Sequence, residues 1–280
     1  MFQVIRRNIS DLKMPLKFAA NISMMFPEVS NLLDRYGAAK QAGFEAVEVA
    51  WPYDFPVDEV VAAKEKHQMH QVLLNTYGGN KPGDIGLAAL PDRHDEFKES
   101  LERSIKYCKA LKCPRLHIMT GRIPECSEQD RTALVAKMEK TFVENLKHAA
   151  DRLKQENILG LIEPLNTKVS VPGYFLDNQY KAVEFIQRVG SDNIKLQMDL
   201  FHVQVMHGNI SNIMKELWPY VGHIQFAQCP SRHEPSFEGE LNFDYIFSYI
   251  ESLGYDGWVG AEYKPSDSSK ETFKWLQRYK

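Results

Sequence analysis

Short apolar segments recur along the chain, and each is followed by a longer stretch in which apolar residues return every three or four positions. Several of the short segments are rich in Val, Ile and Leu without clean alternation, which is typical of parallel strands buried on both faces. The strands predicted in this way are 17–22, 45–49, 70–75, 115–119, 158–163, 194–199, 221–226 and 257–262.

The stretches between these segments predict amphipathic helices. The longest, 131–157, places Leu134, Met138, Phe142 and Leu146 on one face, as expected for a helix packed on a core. Similar periodicity predicts helices at 27–43, 95–113 and 243–254.

Eight strands that alternate with helices predict an α/β fold, a (β/α)8 TIM barrel, as a single domain of residues 16–280. A doubly wound sheet is the alternative, but no glycine fingerprint follows the first predicted strand. Residues 1–15 are interpreted as a disordered tail. Arg6 and Arg7 give this tail a weak resemblance to an organelle-targeting segment, and Asp11 and the short length argue against that function.

Composition narrows the class of protein. The chain has a formal net charge of −3 and no run of like charges, so neither a nucleic-acid partner nor a basic membrane-binding surface is expected. No apolar stretch reaches the roughly 18 residues of a membrane span. The four cysteines form no CxxC pair, which favours reduced thiols and a cytoplasmic location. A homo-oligomer is compatible with these features.

A long glycine-rich loop, 76–91, follows the third predicted strand. Its sequence, TYGGNKPGDIGLAALP, matches neither GxGxxG nor a P-loop, so no nucleotide cofactor is expected. A long loop on the catalytic face of a barrel is interpreted as a lid.

Polar side chains stand at the ends of the last four predicted strands. These are Glu163, Asp199, Gln225 and Glu262. Because the C-terminal strand ends of a barrel meet at its active site, we expect the four side chains to converge. Three carboxylates in one place repel unless a cation neutralises them, and oxygen donors suit Mg²⁺ or Mn²⁺.

Other candidates lie close to these strand ends in the sequence. His202 follows Asp199 by three positions and is either a substrate contact or a structural histidine. His223 shares a strand face with Gln225 and is expected to support the metal ligands or to replace Gln225 among them. Glu240 is expected to support the site from behind, or to cap the helix that starts near residue 242. His117 is interpreted as a packed strand residue.

Ordered motifs in the chain resemble those of the hydroxypyruvate isomerase family, which belongs to the xylose isomerase-like TIM barrels. They are LIEPLN, QMDLFH, VGHIQFAQ, GELNF and GAEYKP, with FAANISMMFPE, GFEAVEVAWPY and GLAALPDR earlier in the chain. The resemblance covers about residues 16–279.

The resemblance implies roles for particular residues. Glu163 and Glu262 take the family's paired acid/base positions, and together with Asp199 and Gln225 they take its metal-binding positions. Many sugar epimerases of the wider group have histidine where this chain has Gln225, and a second glutamate about where it has Val169. Both differences argue against a sugar epimerase.

The implied activity is the interconversion of hydroxypyruvate and tartronate semialdehyde, a small oxo-acid reaction that passes through an enediolate. Arg232 is the first candidate to bind the substrate carboxylate, followed by Lys264 and Arg122. The alternatives are an isomerase or epimerase of another small oxo-acid or ketose, a metal-dependent endonuclease, and a non-catalytic barrel.

Overall fold

Eight parallel strands close into a barrel in the computed structural model, which describes residues 15–267 and 270–279. Each strand pairs with the next along the chain, and the first pairs with the last. The strands are β1 (Lys17–Asn21), β2 (Ala46–Val49), β3 (His70–Asn75), β4 (Arg115–His117), β5 (Leu159–Ile162), β6 (Ile194–Asp199), β7 (Val221–Phe226) and β8 (Trp258–Ala261). The predicted (β/α)8 barrel and all eight predicted strands are confirmed.

Helices surround the barrel. They are α1 (Arg35–Gln41), α2 (Val57–Lys66), α3 (His94–Leu111), α4 (Glu128–Gln155), α5 (Gln179–Val189), α6 (Leu200–Met206), α7 (Ile210–Leu217), α8 (Phe243–Ser252) and α9 (Trp275–Tyr279). In the part of the chain that the structure describes, no helix combines the length and the apolar character that crossing a membrane requires. The predicted tail, apart from its last residue, lies outside the described residues.

The first helix is shorter than its sequence period predicts. The prediction was 27–43, but α1 begins at Arg35. The Arg35 guanidinium donates to the carbonyls of Val29 and Ile22, at 2.8 and 2.9 Å. These bonds hold the preceding segment as turns against the end of β1, so its apolar side chains pack without a helix.

The inside of the barrel changes from apolar to polar along the strands. A buried apolar cluster within the barrel consists of Ala19, Ala46, Val72, Leu73 and Leu161. Since strand side chains alternate, the next inward positions lie two residues further on. On β1, on β2 and just beyond β5 these positions are Asn21, Glu48 and Glu163, all of them buried. The strands therefore place an apolar floor beneath a polar layer.

Aromatic packing fixes the C-terminal segment to the barrel. The Trp275 ring of α9 meets Phe18 of β1 and Phe226 of β7 edge-on, with centroids 5.2 and 5.4 Å apart. Phe247 of α8 packs on the same two phenylalanines. Buried aromatic pairs of this kind hold the strands that carry the last predicted site residues in fixed positions.

The glycine-rich loop is attached at several points. Gly86 forms an antiparallel bridge with Thr120 beyond β4, and Asp84 pairs with Arg93. Asn145 of α4 donates to the carbonyl of Ala88 at 2.8 Å. The loop thus brings Ile85 to the wall of a cavity at the C-terminal end of the barrel. Its function as a lid stays a prediction.

Candidate active site

A cavity of about 320 Å³ opens at the C-terminal end of the barrel. Its wall includes Glu163, Glu262, His202 and Arg232, all predicted from the sequence to belong to the site. The other lining residues are seven apolar ones, Met24, Ala50, Trp51, Ile85, Met119, Leu165 and Val171, and five polar ones, Asn21, Ser23, Asn75, His117 and Arg122. A small polar centre inside an apolar rim is the usual form of a small-molecule site.

Three carboxyl groups and one imidazole converge here. Glu163, Asp199, His202 and Glu262 each present a ligand atom, and these atoms all lie within 4.8 Å of one another. They come from the ends of β5, β6 and β8 and from the first turn of α6. Glu163 and Asp199 are buried, and the side chain of Glu262 is 17% exposed. A group of this kind can hold a metal ion.

Arg232 lies against the acids instead of projecting freely into the cavity. Its Nη2 is 2.8 Å from Glu262 Oε2 and 3.3 Å from Asp199 Oδ2. Its guanidinium carbon lies 4.9 Å from the centroid of the Phe201 ring, a cation–π contact. Arg232 therefore neutralises part of the acid cluster and links β6 to β8.

The acids are costly to ionise in this position. Burial raises the pKa of Glu163 well above its usual range, and the charges of Glu262 and Asp199 add to the effect. Burial also raises the pKa of Glu262 to about 8, although Arg232 opposes the shift. The pKa of Asp199 is raised by burial as well. A cation would remove this cost by compensating the charges.

The donor set fits a hard divalent cation. Glu163 Oε1 is buried and has no hydrogen-bond partner, so one lone-pair site points into the cluster unused. Such an atom is expensive unless something binds it. Carboxylate oxygens are the ligands that Mg²⁺ and Mn²⁺ prefer.

His202 is a hydrogen-bond donor toward the acids. Its Nδ1 accepts the backbone N–H of Asn166 at 3.0 Å, and the Asn166 side-chain nitrogen lies 2.7 Å away. Burial lowers the pKa of His202 well below its usual value, so the ring is neutral. A neutral ring with an accepting Nδ1 carries its proton on Nε2, 3.4 Å from Asp199 Oδ2. That proton leaves Nε2 no lone pair for a metal.

Gln225 and His223 lie in the layer beneath the cavity. Gln225 Oε1 accepts from Gln197 at 2.6 Å, and its nitrogen donates to Glu48 at 2.7 Å. His223 Nε2 lies 2.5 Å from the other oxygen of Glu48. Gln197 also donates to Glu163 at 2.8 Å. The predicted ligand Gln225 is thus part of a buried chain of polar groups that ends at Glu163.

Two predicted site residues lie elsewhere. Lys264 is exposed and does not line the cavity, because the chain beyond Glu262 leaves the barrel rim. Glu240 is also exposed; it accepts from Gln204 at 3.2 Å. The cap of α8 is Asn242, whose side chain accepts the N–H of Tyr245. The structure therefore supports neither Lys264 as a substrate contact nor Glu240 as a support or a cap.

Several polar residues of the site were missed by sequence reasoning. They are Asn21, Glu48, Asn75, Gln197 and the cavity-lining His117, which had been assigned to packing alone. Burial, reinforced by His223, lowers the pKa of His117 to about 3, so it is neutral with Nδ1 3.3 Å from Glu163. The two-residue period could have found three of them, since Asn21, Glu48 and Asn75 each follow a residue of the buried apolar cluster by two.

We expect the thermal stability of the metal-free protein to fall as the pH rises from about 5 to about 8. Across this range the folded state keeps a proton on Glu262 that the unfolded chain has released, so folding binds a proton and loses free energy as pH increases. Added Mn²⁺ should raise the melting temperature, and more at higher pH, because it binds the ionised carboxylates.

Thermal melting with and without Mn²⁺ at several pH values measures both effects. Glu262→Gln should weaken the pH dependence, whereas Glu45→Gln, at an exposed position, should preserve it. A melting temperature that is insensitive to both pH and Mn²⁺ would contradict the expectation.

The barrel is closed and parallel, and it gathers buried acids into a small cavity at its C-terminal end. These features define a class of protein: the (β/α)8-barrel enzymes whose acidic site is compatible with a metal ion. A family model described as xylose isomerase-like TIM barrel matches residues 36–279. The chain belongs to the hydroxypyruvate isomerase family within these xylose isomerase-like barrels.

Curated relatives match nearly the whole chain. A human protein named "Putative hydroxypyruvate isomerase" is 48% identical over 266 residues, which are 95% of this chain and 95% of that protein. A Haemophilus influenzae protein named 2-oxo-tetronate isomerase is 39% identical, covering 94% and 99%. The hydroxypyruvate isomerase of Escherichia coli K12 is 36% identical, covering 95% and 100%. The named activities are those of isomerases.

A solved structure agrees with the fold. A Brucella melitensis protein, described as an AP endonuclease of family 2, superposes with a TM-score of 0.88 at 40% identity. The match covers 95% of this chain and all of that one. The barrel is therefore a shared feature of proteins with differing descriptions, and function has to be argued from the site.

Proposed function

We propose that the protein is a hydroxypyruvate isomerase, which interconverts hydroxypyruvate and tartronate semialdehyde. The observation that carries the proposal is the pair Glu163 and Glu262, two carboxyls of raised pKa that face one cavity from β5 and β8. The names of the relatives support the same reaction.

The reaction requires two proton transfers and no redox partner. A proton leaves C3 of hydroxypyruvate, giving an enediolate, and a proton is added at C2, while the hydroxyl proton moves from O3 to O2. Two carboxyl groups can share this work, one as base and the other as acid. Raised pKa values suit the role of acid, because a carboxyl that holds its proton can donate it to the substrate.

Particular residues support the charge that develops on the substrate oxygens. Asn21 donates to Glu262 Oε1 at 3.0 Å and holds that carboxyl in place. His202 presents its Nε2 proton to the centre of the cluster, where an enediolate oxygen can accept it. A divalent cation, Mg²⁺ or Mn²⁺, held by Glu163, Asp199, Glu262 and the oxygen of Gln225, would supply Lewis acidity when bound.

The substrate carboxylate needs a cation that is not already paired. Arg232 is matched by Asp199 and Glu262, so it is less available than its sequence position suggested. Arg122 also lines the cavity, is exposed, and donates to the carbonyl of Gly83 at 2.8 Å. Among the described residues no carboxylate pairs with it. We therefore assign binding of the substrate carboxylate to Arg122, which lies beside the glycine-rich loop.

Arg122→Leu is expected to lower kcat/KM for hydroxypyruvate by about 10–100-fold, chiefly through KM. A hydrogen bond to a charged group contributes about 1.5–3 kcal/mol, and about 1.4 kcal/mol corresponds to a factor of ten. The carboxylate keeps its charge throughout the reaction, so the loss affects ground state and transition state alike. Steady-state kinetics measures the change, and Lys264→Leu is the control that should behave as wild type. An unchanged KM in Arg122→Leu would refute the assignment.

The test of the proposed function is turnover. Purified protein with Mn²⁺ and hydroxypyruvate should form tartronate semialdehyde, followed by proton NMR, with substrate protons exchanging in deuterated water. No turnover and no exchange by the wild-type protein would reject the proposal.

A longer oxo-acid is the second candidate substrate. The cavity of about 320 Å³ exceeds what a three-carbon acid fills, and one relative is named a 2-oxo-tetronate isomerase. Comparison of kcat/KM for hydroxypyruvate and 2-oxo-tetronate decides between them.

The free cysteines Cys108, Cys113, Cys126 and Cys229 support a reducing, cytoplasmic setting for either reaction.

A further inference from the structure

Glu48 is a fully buried carboxylate inside the barrel that the proposed reaction does not use. It lies on β2, where it follows the floor residue Ala46 by two positions and pairs in register with Asn21 of β1. Its side chain crosses the barrel to β7, far away along the sequence, and reaches both His223 and Gln225. A buried carboxylate with such remote partners requires a reason, because removing it from water is expensive.

The barrel makes room for this side chain at Gly260. A methyl group added to Gly260 of β8 would collide with the Glu48 carboxylate. Gly260 has no left-handed backbone that would demand glycine. Gly260 is also the register partner of Gln225, so the space for the carboxylate lies beside the amide that it contacts.

A chain of hydrogen bonds connects Glu48 to Glu163 through two amides: Gln197 donates to both Gln225 and Glu163, and Gln225 donates to Glu48. Its Oε2 accepts from Gln225 Nε2 at 2.7 Å; Gln225 Oε1 accepts from Gln197 Nε2 at 2.6 Å; and Gln197 Nε2 donates to Glu163 Oε2 at 2.8 Å. Reversing the Gln225 amide would place its oxygen against the Glu48 carboxylate and its nitrogen against the nitrogen of Gln197. Both contacts would be repulsive, so the carboxylate allows one amide orientation.

We propose that Glu48 is a positioning residue: it fixes the side-chain amide of Gln225 with its oxygen on the side of Gln197 and Glu163, where that oxygen serves as a neutral ligand for a divalent cation. An amide has one oxygen and one nitrogen, and only the oxygen can bind a metal. An amide ligand therefore needs a neighbouring group that selects its orientation. A histidine ligand at this position would not need such a neighbour. Glu48 meets that need because its Oε2 accepts from the Gln225 nitrogen, which leaves the Gln225 oxygen on the opposite side.

His223 completes the arrangement from below. Its Nε2 faces Glu48 Oε1 at 2.5 Å, and its Nδ1 has no hydrogen-bond partner among the described residues. This geometry places an N–H on Nε2, which donates to Glu48. Both oxygens of Glu48 are thereby occupied by donors, and the carboxylate cannot rotate away from Gln225.

The inference rests on the proposed cation site, and its test does not depend on the substrate. Full-length protein freed of metal by chelator is titrated with Mn²⁺, and free Mn²⁺ is measured by electron paramagnetic resonance. Glu48→Gln should weaken Mn²⁺ binding by about 10–100-fold, the usual effect of losing a residue behind a metal ligand. Glu45→Gln is the control, because Glu45 is an exposed carboxylate directly before β2. This variant should bind Mn²⁺ as tightly as the wild-type protein. Gly260→Ala should weaken binding as well, since it displaces the Glu48 carboxylate.

A double-mutant cycle separates positioning from general support of the fold. Gln225→Leu removes the oriented ligand; if Glu48 acts through it, adding Glu48→Gln to Gln225→Leu should cost no further Mn²⁺ affinity. Fully additive losses would overturn the proposal, as would an Mn²⁺ affinity of Glu48→Gln equal to that of wild type. If Glu48→Gln does not fold, Glu48→Asp replaces it in the test. Its shorter carboxylate cannot reach Gln225, so Mn²⁺ binding should again be weakened. A wild-type Mn²⁺ affinity of Glu48→Asp would overturn the proposal.

A wild-type protein that binds no Mn²⁺ would also overturn the positioning role. The proposed function would then still be decided separately, by turnover of hydroxypyruvate. The two failures are thus distinguishable.

Discussion

Replacing either Glu163 or Glu262 by glutamine is expected to lower kcat for hydroxypyruvate by about 10³-fold or more. A positioned acid or base contributes about 10²–10⁴ in rate, and each of these carboxyls is in addition a proposed cation ligand. Glutamine matches the size of glutamate and keeps one oxygen, but it cannot take or give a proton at neutral pH. The expected loss is therefore in the chemical step and appears in kcat.

Proton NMR of hydroxypyruvate turnover measures this loss, and exchange of substrate protons in deuterated water reports proton removal alone. Glu240→Gln is the matched control, because Glu240 is exposed and outside the cavity. Retention of more than about a tenth of the wild-type kcat in both Glu163→Gln and Glu262→Gln would contradict the paired acid/base roles.

Removal of divalent cations is expected to have the second largest effect, a fall in kcat/KM of about 10²–10³-fold. Lewis-acid stabilisation is worth several kcal/mol, and about 1.4 kcal/mol corresponds to a factor of ten. Without a cation, ionisation of Glu163 and Asp199 is disfavoured, because burial raises the pKa of each. Removing the cation thus removes the electrophile and makes the ionised forms of these acids less favourable.

Dialysis against a chelator, followed by assay before and after addition of Mn²⁺ or Mg²⁺, measures this effect. Recovery of activity on addition of the cation is the expected result. Asp199→Asn should recover poorly, because it removes a proposed ligand that is not a proton carrier. Full activity after exhaustive chelation would show that the acids work without a cation.

The strand ends of the site could be predicted from the sequence because burial imposes a simple pattern. A carboxylate at the end of an apolar strand, such as Glu163 or Asp199, conflicts with its surroundings unless it has a function. The barrel follows from the same pattern of strands and helices. These inferences need only the position of a residue along its own strand.

Lys264 and Glu240 show where that reasoning fails. Lys264 lies just beyond β8 and Glu240 in the long loop after β7, and the path of a loop is set by contacts that the strand period does not encode. The Lys264 N–H donates to the carbonyl of Arg232 at 2.9 Å, which ties the two loops together and leaves the lysine side chain exposed. Charge alone could not distinguish Arg122, at the cavity, from Lys264, outside it.

Glu48 was missed for a different reason. It sits within an apolar strand and not at an obvious strand end, and its partners on β7 lie more than half the chain away. Only closure of the barrel brings β2 and β7 face to face across the interior. The clue available from sequence was the step of two residues from Ala46 to Glu48.

The apolar floor beneath the polar layer affects where a deuterium label from C3 of the substrate goes during turnover. Ala19, Ala46 and Leu161 seal the inner wall below the acids, so solvent reaches Glu163 and Glu262 from the cavity side. A bound substrate occupies that side, and a closed site of this kind prevents leakage of protons. A deuteron taken from C3 therefore remains on the enzyme while the enediolate is present. The fraction of the label that has not exchanged with solvent should reappear at C2 of the product when the carboxyl that removed it also returns it.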